Sequence, residues 1–342
     1  MDIKTRNTRY DALDGVRAIS AIGIVLMHVL ANGNYNLRGF LFEKLIPSFT
    51  NLVFLFMVIS AFSMCCGYYE KVRENKLPLD TFYKKRFLKI LPFFGLLSLM
   101  DVVISPSRGS VLELLANLTL CFGFLPHAGN ISVIGVGWFL GVIFVFYIIF
   151  PFYCCLIGTK WRAWMALALT YLFNVICAAY FGISRNNIVY DAVYLILGGL
   201  IYLYRDPLSV FSERHRVLSG ALVIGSMVIY FTVGSYVMPT LCLCGAILVY
   251  AIGIRTKGIL MNRYAKFLSS ISLEIYLCHM VFFRILERMG LTRCFESDVA
   301  SFVLASVLTL TGAMIFAVAV QRGFEKATNL IGKVQALFDV KK

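Results

Sequence analysis

Charge is scarce in this chain. Only 15% of its 342 residues are Asp, Glu, Lys or Arg and four are His, whereas 60% are hydrophobic. Mean hydropathy is +0.81. A soluble domain cannot hide that much apolar surface, because apolar content in such domains is about 45–50%. The scarcity therefore excludes an ordinary soluble fold and points to lipid as the solvent. The short alternating runs of a β-barrel are missing as well. The apolar runs are long and continuous, which predicts an all-α integral membrane protein.

Acids are scarcer still: 18 Asp and Glu against 32 Lys and Arg, a net charge of +14. A basic surplus can mark nucleic-acid binding. Here the cations stand between apolar runs instead of clustering on one face, as the positive-inside rule requires of loops, so no nucleic-acid partner is expected. The ten cysteines lie mostly inside apolar runs. They lack the paired His or Cys spacing in polar loops that zinc needs, so they read as small packing residues and no metal is predicted. No cleavable signal is evident. The first apolar run carries Arg17 and His28 and lacks a small-residue cleavage site, so it reads as retained. No internal repeat, low-complexity tract, inverted repeat or pair of interrupted helices is visible. Residues 1–342 read as one polytopic domain with its core at about 9–320.

Ten apolar runs are long enough to be helices: 14–31, 49–69, 86–105, 136–158, 163–181, 190–204, 216–233, 236–254, 267–289 and 300–320, of which 190–204 is short for a crossing. Segment 112–125 is shorter and carries Glu113 and Asn117. If it does not cross, 25 Lys and Arg fall on the side of the N-terminus and 7 on the other; if it crosses, the split is 15 against 17. The positive-inside rule selects the first arrangement. The expectation is about ten transmembrane helices, both termini cytoplasmic, and 112–125 as a short re-entrant or interfacial segment.

Ionisable groups in hydrocarbon are costly and mark function. Arg17 and His28 are eleven positions apart. Eleven steps of about 100° return to nearly the same helix face with a rise of about 16 Å, so both side chains can line one cavity without touching. Asp14, one turn before Arg17, can orient the guanidinium. Lys84, Lys85, Arg86 and Lys89 crowd the start of the third run. That cluster reads equally as a phosphate site and as topology signalling with lipid headgroup contact. Arg86 and Lys89 share a face. In the ninth run, His279 is expected at a depth close to that of His28, so the two histidines can share a site or simply pack. Glu274 is a further buried acid, and Ser60 and Trp138 read as lesser additions.

These motifs taken in order carry a resemblance. The Leu13–Arg17 stretch with His28, Phe54–Phe62 around Ser60, Arg86-x-x-Lys89 before Pro92, Trp138 with Phe146, Tyr147 and Pro151, and Ser272, Ile275, Tyr276, Leu277 and His279 together resemble the acyltransferase 3 family. The resemblance implies ten helices and transfer of acyl groups, mostly acetyl from acetyl-CoA, to carbohydrates such as O-antigen, capsule, exopolysaccharide or peptidoglycan. It implies His28 as catalytic base, Arg17 as its partner in the cavity, and Arg86 and Lys89 as the family's Arg-x-x-Arg pair. Departures are Lys89 for Arg, Ile143 where many members have Glu, and Ala61 and Leu273 after Ser60 and Ser272. Lys keeps the charge but loses the bidentate fork.

The function expected is O-acetylation of a surface polysaccharide, glycolipid or lipid-linked precursor at a bacterial plasma (inner) membrane. Acetyl-CoA is then a substrate, no cofactor is tightly bound, and the partners are the acceptor and membrane lipids. CoA phosphates would sit on Arg86, Lys89 and Arg17, with Asp14, Ser60, Trp138, Tyr276, His279 and Glu274 in support. The alternatives are a glycolipid or polysaccharide transporter or flippase, and another acyl group such as succinyl.

Overall fold

The computed structural model describes residues 10–125 and 130–339. Lys4, Arg6, Arg9, Lys341 and Lys342, on which part of the charge count rests, lie outside the described residues. Among the described residues every regular element is a helix. They are α1 (Ala12–Asn32), α2 (Leu52–Arg73), α3 (Leu79–Ile104), α4 (Arg108–Thr119), α5 (Trp138–Leu156), α6 (Lys160–Tyr180) and α7 (Ile188–Leu203). Then follow α8 (Arg205–Arg214), α9 (Arg216–Val233), α10 (Val237–Ile252), α11 (Arg263–Ser270), α12 (Ser272–Arg288) and α13 (Asp298–Asp339). Irregular helical turns over 41–51 lead into α2.

Among the described residues, seven segments are long and apolar enough to cross a membrane, and up to nine if each of two bent pairs is one span. The pairs are α7 with α8, bent by 77°, and α11 with α12, bent by 67°. The short run 190–204 left room for a tilt, a break or an extension, and the structure gives a break at its end; the second break was not anticipated. In the second, the continuous run 267–289 divides at Ile271, and its first residues belong to a separate short helix. The rise to His279 is thus counted from Ser272, not from Phe267. Helix α10 has 16 residues, about 24 Å of rise, and falls short of the same length test.

The side-chain distribution is that of a bundle dissolved in lipid. In α6, Ala163, Ala166, Asn174 and Cys177 face inward, while Trp164, Leu169, Leu172, Phe173 and Ile176 are exposed. Small and polar residues inside with large apolar ones outside reverse the soluble rule, as expected where lipid covers the outer face. Segment 112–125 follows the same logic. It forms the 12-residue α4 and then a single turn at Phe122–Phe124, too short to cross. Its Asn117 is buried and donates to the Val133 carbonyl at 3.0 Å, while Leu112, Leu115 and Leu118 face outward.

Consecutive long helices run up and down. We call the end where α1 begins basal and the opposite end distal. Helix α2 packs most extensively on α7. That closeness depends on Gly198, where a β-carbon would overlap the Val58 carbonyl and crowd Ala61. The Leu-Asp-Gly motif has a similar cause: a β-carbon on Gly15 would overlap the backbone of Leu260, just before α11. Overpacking a tight interface costs about 1–3 kcal/mol. Gly198→Leu is therefore expected to lower thermal stability in detergent by at least that amount, whereas the same change at Gly225, which has open space around it, should leave the melting curve unmoved.

Candidate active site

Helices α1, α2, α3, α5, α11 and α12 surround a cavity of about 420 Å³. Its basal wall is polar, with Asp14, Arg17, Arg86, Lys89, Lys266 and Glu274. Its distal wall is apolar, with Val53, Phe56, Phe139, Leu140 and Ile143. Charge at one end and hydrocarbon at the other make the cavity itself amphipathic.

Each basal cation is held differently. Arg17 donates to Ser63 Oγ on α2 at 2.7 Å and lies 3.7 Å from Asp14 Oδ1. Asp14 also accepts from Ser269 Oγ on α11 at 2.9 Å, so one arginine and one aspartate tie three helices. Arg86 sits among three rings, with Tyr68, Phe82 and Tyr147 centroids 4.9, 5.4 and 5.2 Å from its guanidinium carbon. No carboxylate stands within 4 Å of it among the described residues, and its Nε is buried with no hydrogen-bond partner. Rings solvate such a cation through their faces without neutralising it. Lys89, one turn on, lines the same cavity, whereas Lys84 and Lys85 do not. Helix α3 begins at Leu79, two turns earlier than the sequence reading placed it. Its N-terminal amides therefore lie away from Arg86, and side chains alone supply the anion-attracting charge. Glu274 Oε1 accepts from Gln321 on α13 at 2.8 Å, and its Oε2 is buried and unpartnered.

The histidines lie beyond the cavity. His28 and His279 face each other with ring centroids 5.0 Å apart, which meets the expectation that they share a depth. His279 is fully buried; its Nδ1 is 3.2 Å from the Ile275 carbonyl and its Nε2 has no partner. The expectation that Arg17 and His28 line one cavity is corrected. Arg17 is on the wall and His28 is not; the rings of Phe139 and Tyr276 line it instead. Tyr276 lines the cavity on one side, and its ring is 6.2 Å from that of His279 on the other. Phe139 packs against Tyr276 at 5.6 Å, and the Tyr276 hydroxyl donates to the Val136 carbonyl at 2.6 Å. Ser60 is on the cavity wall. Trp138 is not; it covers Arg185, which sequence reasoning counted only as a loop cation. Lys266, Ser63 and Ser269 also escaped it. For Lys266 the available signal was its place one turn before the Ser269–Ser272 cluster.

The chain before α5 holds this distal layer. The Glu113 carboxylate on α4 accepts from Ser132 N, Ser132 Oγ and Val133 N at 2.8–2.9 Å. Asp101 accepts from Ile134 N at 3.3 Å. These bonds fix the strip that presents the Val136 carbonyl to Tyr276.

A profile of the acyltransferase 3 family, described as an acyltransferase domain, matches residues 10–318. That is most of the 342 residues. The chain belongs to this family. It is a multi-pass membrane acyltransferase, and the cavity described above lies wholly within the matched residues. No curated protein and no solved structure matches it.

Burial alone would raise the Glu113 pKa, but the hydrogen bonds from Val133 and Ser132 outweigh it and hold the carboxyl below its ordinary value of 4.5. A depressed folded pKa contributes stability that is complete above the unfolded value and is lost as pH falls through the folded one. Glu113→Gln should therefore melt earlier than wild type at pH 7. The gap should close as the pH is taken below 4.5; a gap independent of pH would contradict the carboxylate's role.

Proposed function

We propose that this acyltransferase moves an acetyl group from acetyl-CoA to a hydroxyl of a cell-surface polysaccharide, glycolipid or lipid-linked precursor. The observation that carries the reading is the unequal cavity, cationic at its basal end and apolar above. Acetyl-CoA has the same polarity profile: phosphates at one end, then a long arm, then a small thioester. Phosphate oxygens bind Arg86, Lys89 and Arg17, with Arg86 the leading contact because no acid competes for it. The arm runs along Phe56, Leu140 and Ile143 towards Tyr276. Ring movement at Tyr276 then admits the thioester to His28.

At His28 the acceptor hydroxyl oxygen attacks the thioester carbonyl carbon while an imidazole nitrogen takes its proton. The carbonyl electron pair moves onto oxygen, then returns as the carbon–sulfur bond breaks. The CoA thiolate leaves with the proton held by His28. General base catalysis of this kind contributes about 10²–10⁴-fold. Ile143, where many family members carry Glu, supplies no second carboxylate. Arg17 holds α1 in register with α2 and α11, and so fixes the depth at which His28 stands. Ten crossings, a plasma-membrane setting, a bacterial source and cytoplasmic termini complete the proposal, with the basal end facing the cytoplasm where acetyl-CoA is made.

Two measurements test it. His28→Ala should abolish acetylation while the protein stays in the membrane; retained acetylation would refute the base assignment. Arg86→Met should weaken CoA binding about tenfold to a hundredfold, the worth of a charge-assisted hydrogen bond of about 1.5–3 kcal/mol. Unchanged CoA affinity would remove the donor reading. A deletion strain that exports its glycan normally but without acetyl groups separates transfer from transport.

A further inference from the structure

The turn between α5 and α6 brings two like charges together. A β-carbon on Gly158 would meet Arg73 Nη1 at 3.1 Å and Arg162 Nη1 at 3.5 Å. Arg73 ends α2 and Arg162 stands in the first turn of α6. The two nitrogens are therefore within about 7 Å of each other, less than the Debye length of about 8 Å at physiological salt, so salt does not remove their repulsion. Among the described residues neither guanidinium makes an ion pair or a hydrogen bond. The acids nearest Arg73 in sequence are engaged elsewhere: Glu70 accepts from the Tyr202 hydroxyl at 3.2 Å, and Glu74 pairs with Lys76 at 2.7 Å. Topology accounts for cations at this end but not for their contact. Both side chains are exposed and long enough to turn apart into water.

The turn lies at the level of lipid headgroups. Trp161 and Trp164 are exposed at the start of α6. Trp164 Nε1 donates to the Tyr204 hydroxyl at 3.2 Å, and the Lys160 ammonium lies 4.5 Å from the centre of the same ring. Exposed tryptophans beside a tyrosine and a lysine mark the membrane–water interface. Before the turn, Phe152 and Leu156 are exposed one helical turn apart and bring apolar surface down to within two residues of Gly158. Cations at the end of an apolar strip match the two halves of a phospholipid. Lys71 and Lys160 add to the local surplus of positive charge. A zwitterionic headgroup carries its own ammonium into that surplus, whereas an anionic one cancels it.

We propose that Arg73 and Arg162 form a binding site for the phosphate of an anionic phospholipid of the basal leaflet. Two oxygens of one phosphate, each about 2.8 Å from its guanidinium, span the gap between the nitrogens. Each guanidinium offers a planar fork of donors, which a lysine in its place cannot reproduce. The lipid turns a repulsion between α2 and α6 into a bridge. It also steadies the basal end of α5, whose Phe139, Leu140, Ile143 and Tyr147 line the cavity. The inference is independent of the donor and acceptor proposed above.

The test uses the full chain in micelles that contain phosphatidylcholine alone, phosphatidylcholine with phosphatidylglycerol, or phosphatidylcholine with inorganic phosphate. Bound lipid is counted by native mass spectrometry and the melting temperature is followed in parallel. Wild type should hold phosphatidylglycerol at least tenfold more tightly than phosphatidylcholine and melt higher in its presence. The double change Arg73→Gln with Arg162→Gln should lose that preference. It should melt above wild type in phosphatidylcholine, where a repulsion has been removed, and below wild type in phosphatidylglycerol, where a bridge has. Arg73→Lys with Arg162→Lys should bind phosphatidylglycerol more weakly than wild type although its charge is the same. Arg214→Gln, which removes an exposed basal cation elsewhere, should leave the affinity unchanged. Equal binding of the two lipids by wild type overturns the proposal. So does a Gln pair or a Lys pair with wild-type affinity, or an equal loss in Arg214→Gln, which would make the attraction a property of net charge. Inorganic phosphate that raises the melting temperature as much as phosphatidylglycerol overturns the lipid assignment in favour of a free anion. If the Gln pair does not fold, the three wild-type conditions decide alone.

Discussion

A guanidinium cannot sit in hydrocarbon without partners, and much of this bundle is arranged around that requirement. Arg17 resolves it with Asp14 and Ser63, and Asp14 in turn with Ser269. Removing one member of such a set leaves the others buried and unpaired, which costs more than the bonds themselves contribute. The consequence is geometric. Helices α1, α2 and α11 are locked together at the basal end, and the cavity is the space they cannot fill with side chains.

Arg86 resolves the same problem by another route. Three aromatic faces lower the cost of its charge without cancelling it. A residue paired with Asp or Glu would have to give up that partner before binding an anion. One surrounded by rings does not. Two arginines in one cavity are thus held differently: Arg17 by Asp14 and Ser63, Arg86 by aromatic faces.

Much of this was legible along the chain, and the limits have physical causes. Fold class followed from long apolar runs. The shared face of Arg17 and Asp14, and that of Arg86 and Lys89, followed from helical periodicity, since both are local properties. Arg185 was hidden because Thr50 and Phe54, its neighbours in space, lie more than 130 positions away and nothing local marks the pairing. The separation of His28 from the cavity was equally hidden. Periodicity puts two residues on one face but does not say which side chains from other helices, here Tyr276 and Phe139, complete the cavity wall. The bend at Ile271 escaped for a related reason: an unbroken hydropathy profile carries no record of direction.

Tyr276 gives the assembly a kinetic property. Its hydroxyl is tied to Val136 by one hydrogen bond, worth about 0.5–1.5 kcal/mol net. In the mechanism proposed above, that bond is what the passing thioester displaces, and the strip of chain held by Glu113 sets where the ring returns.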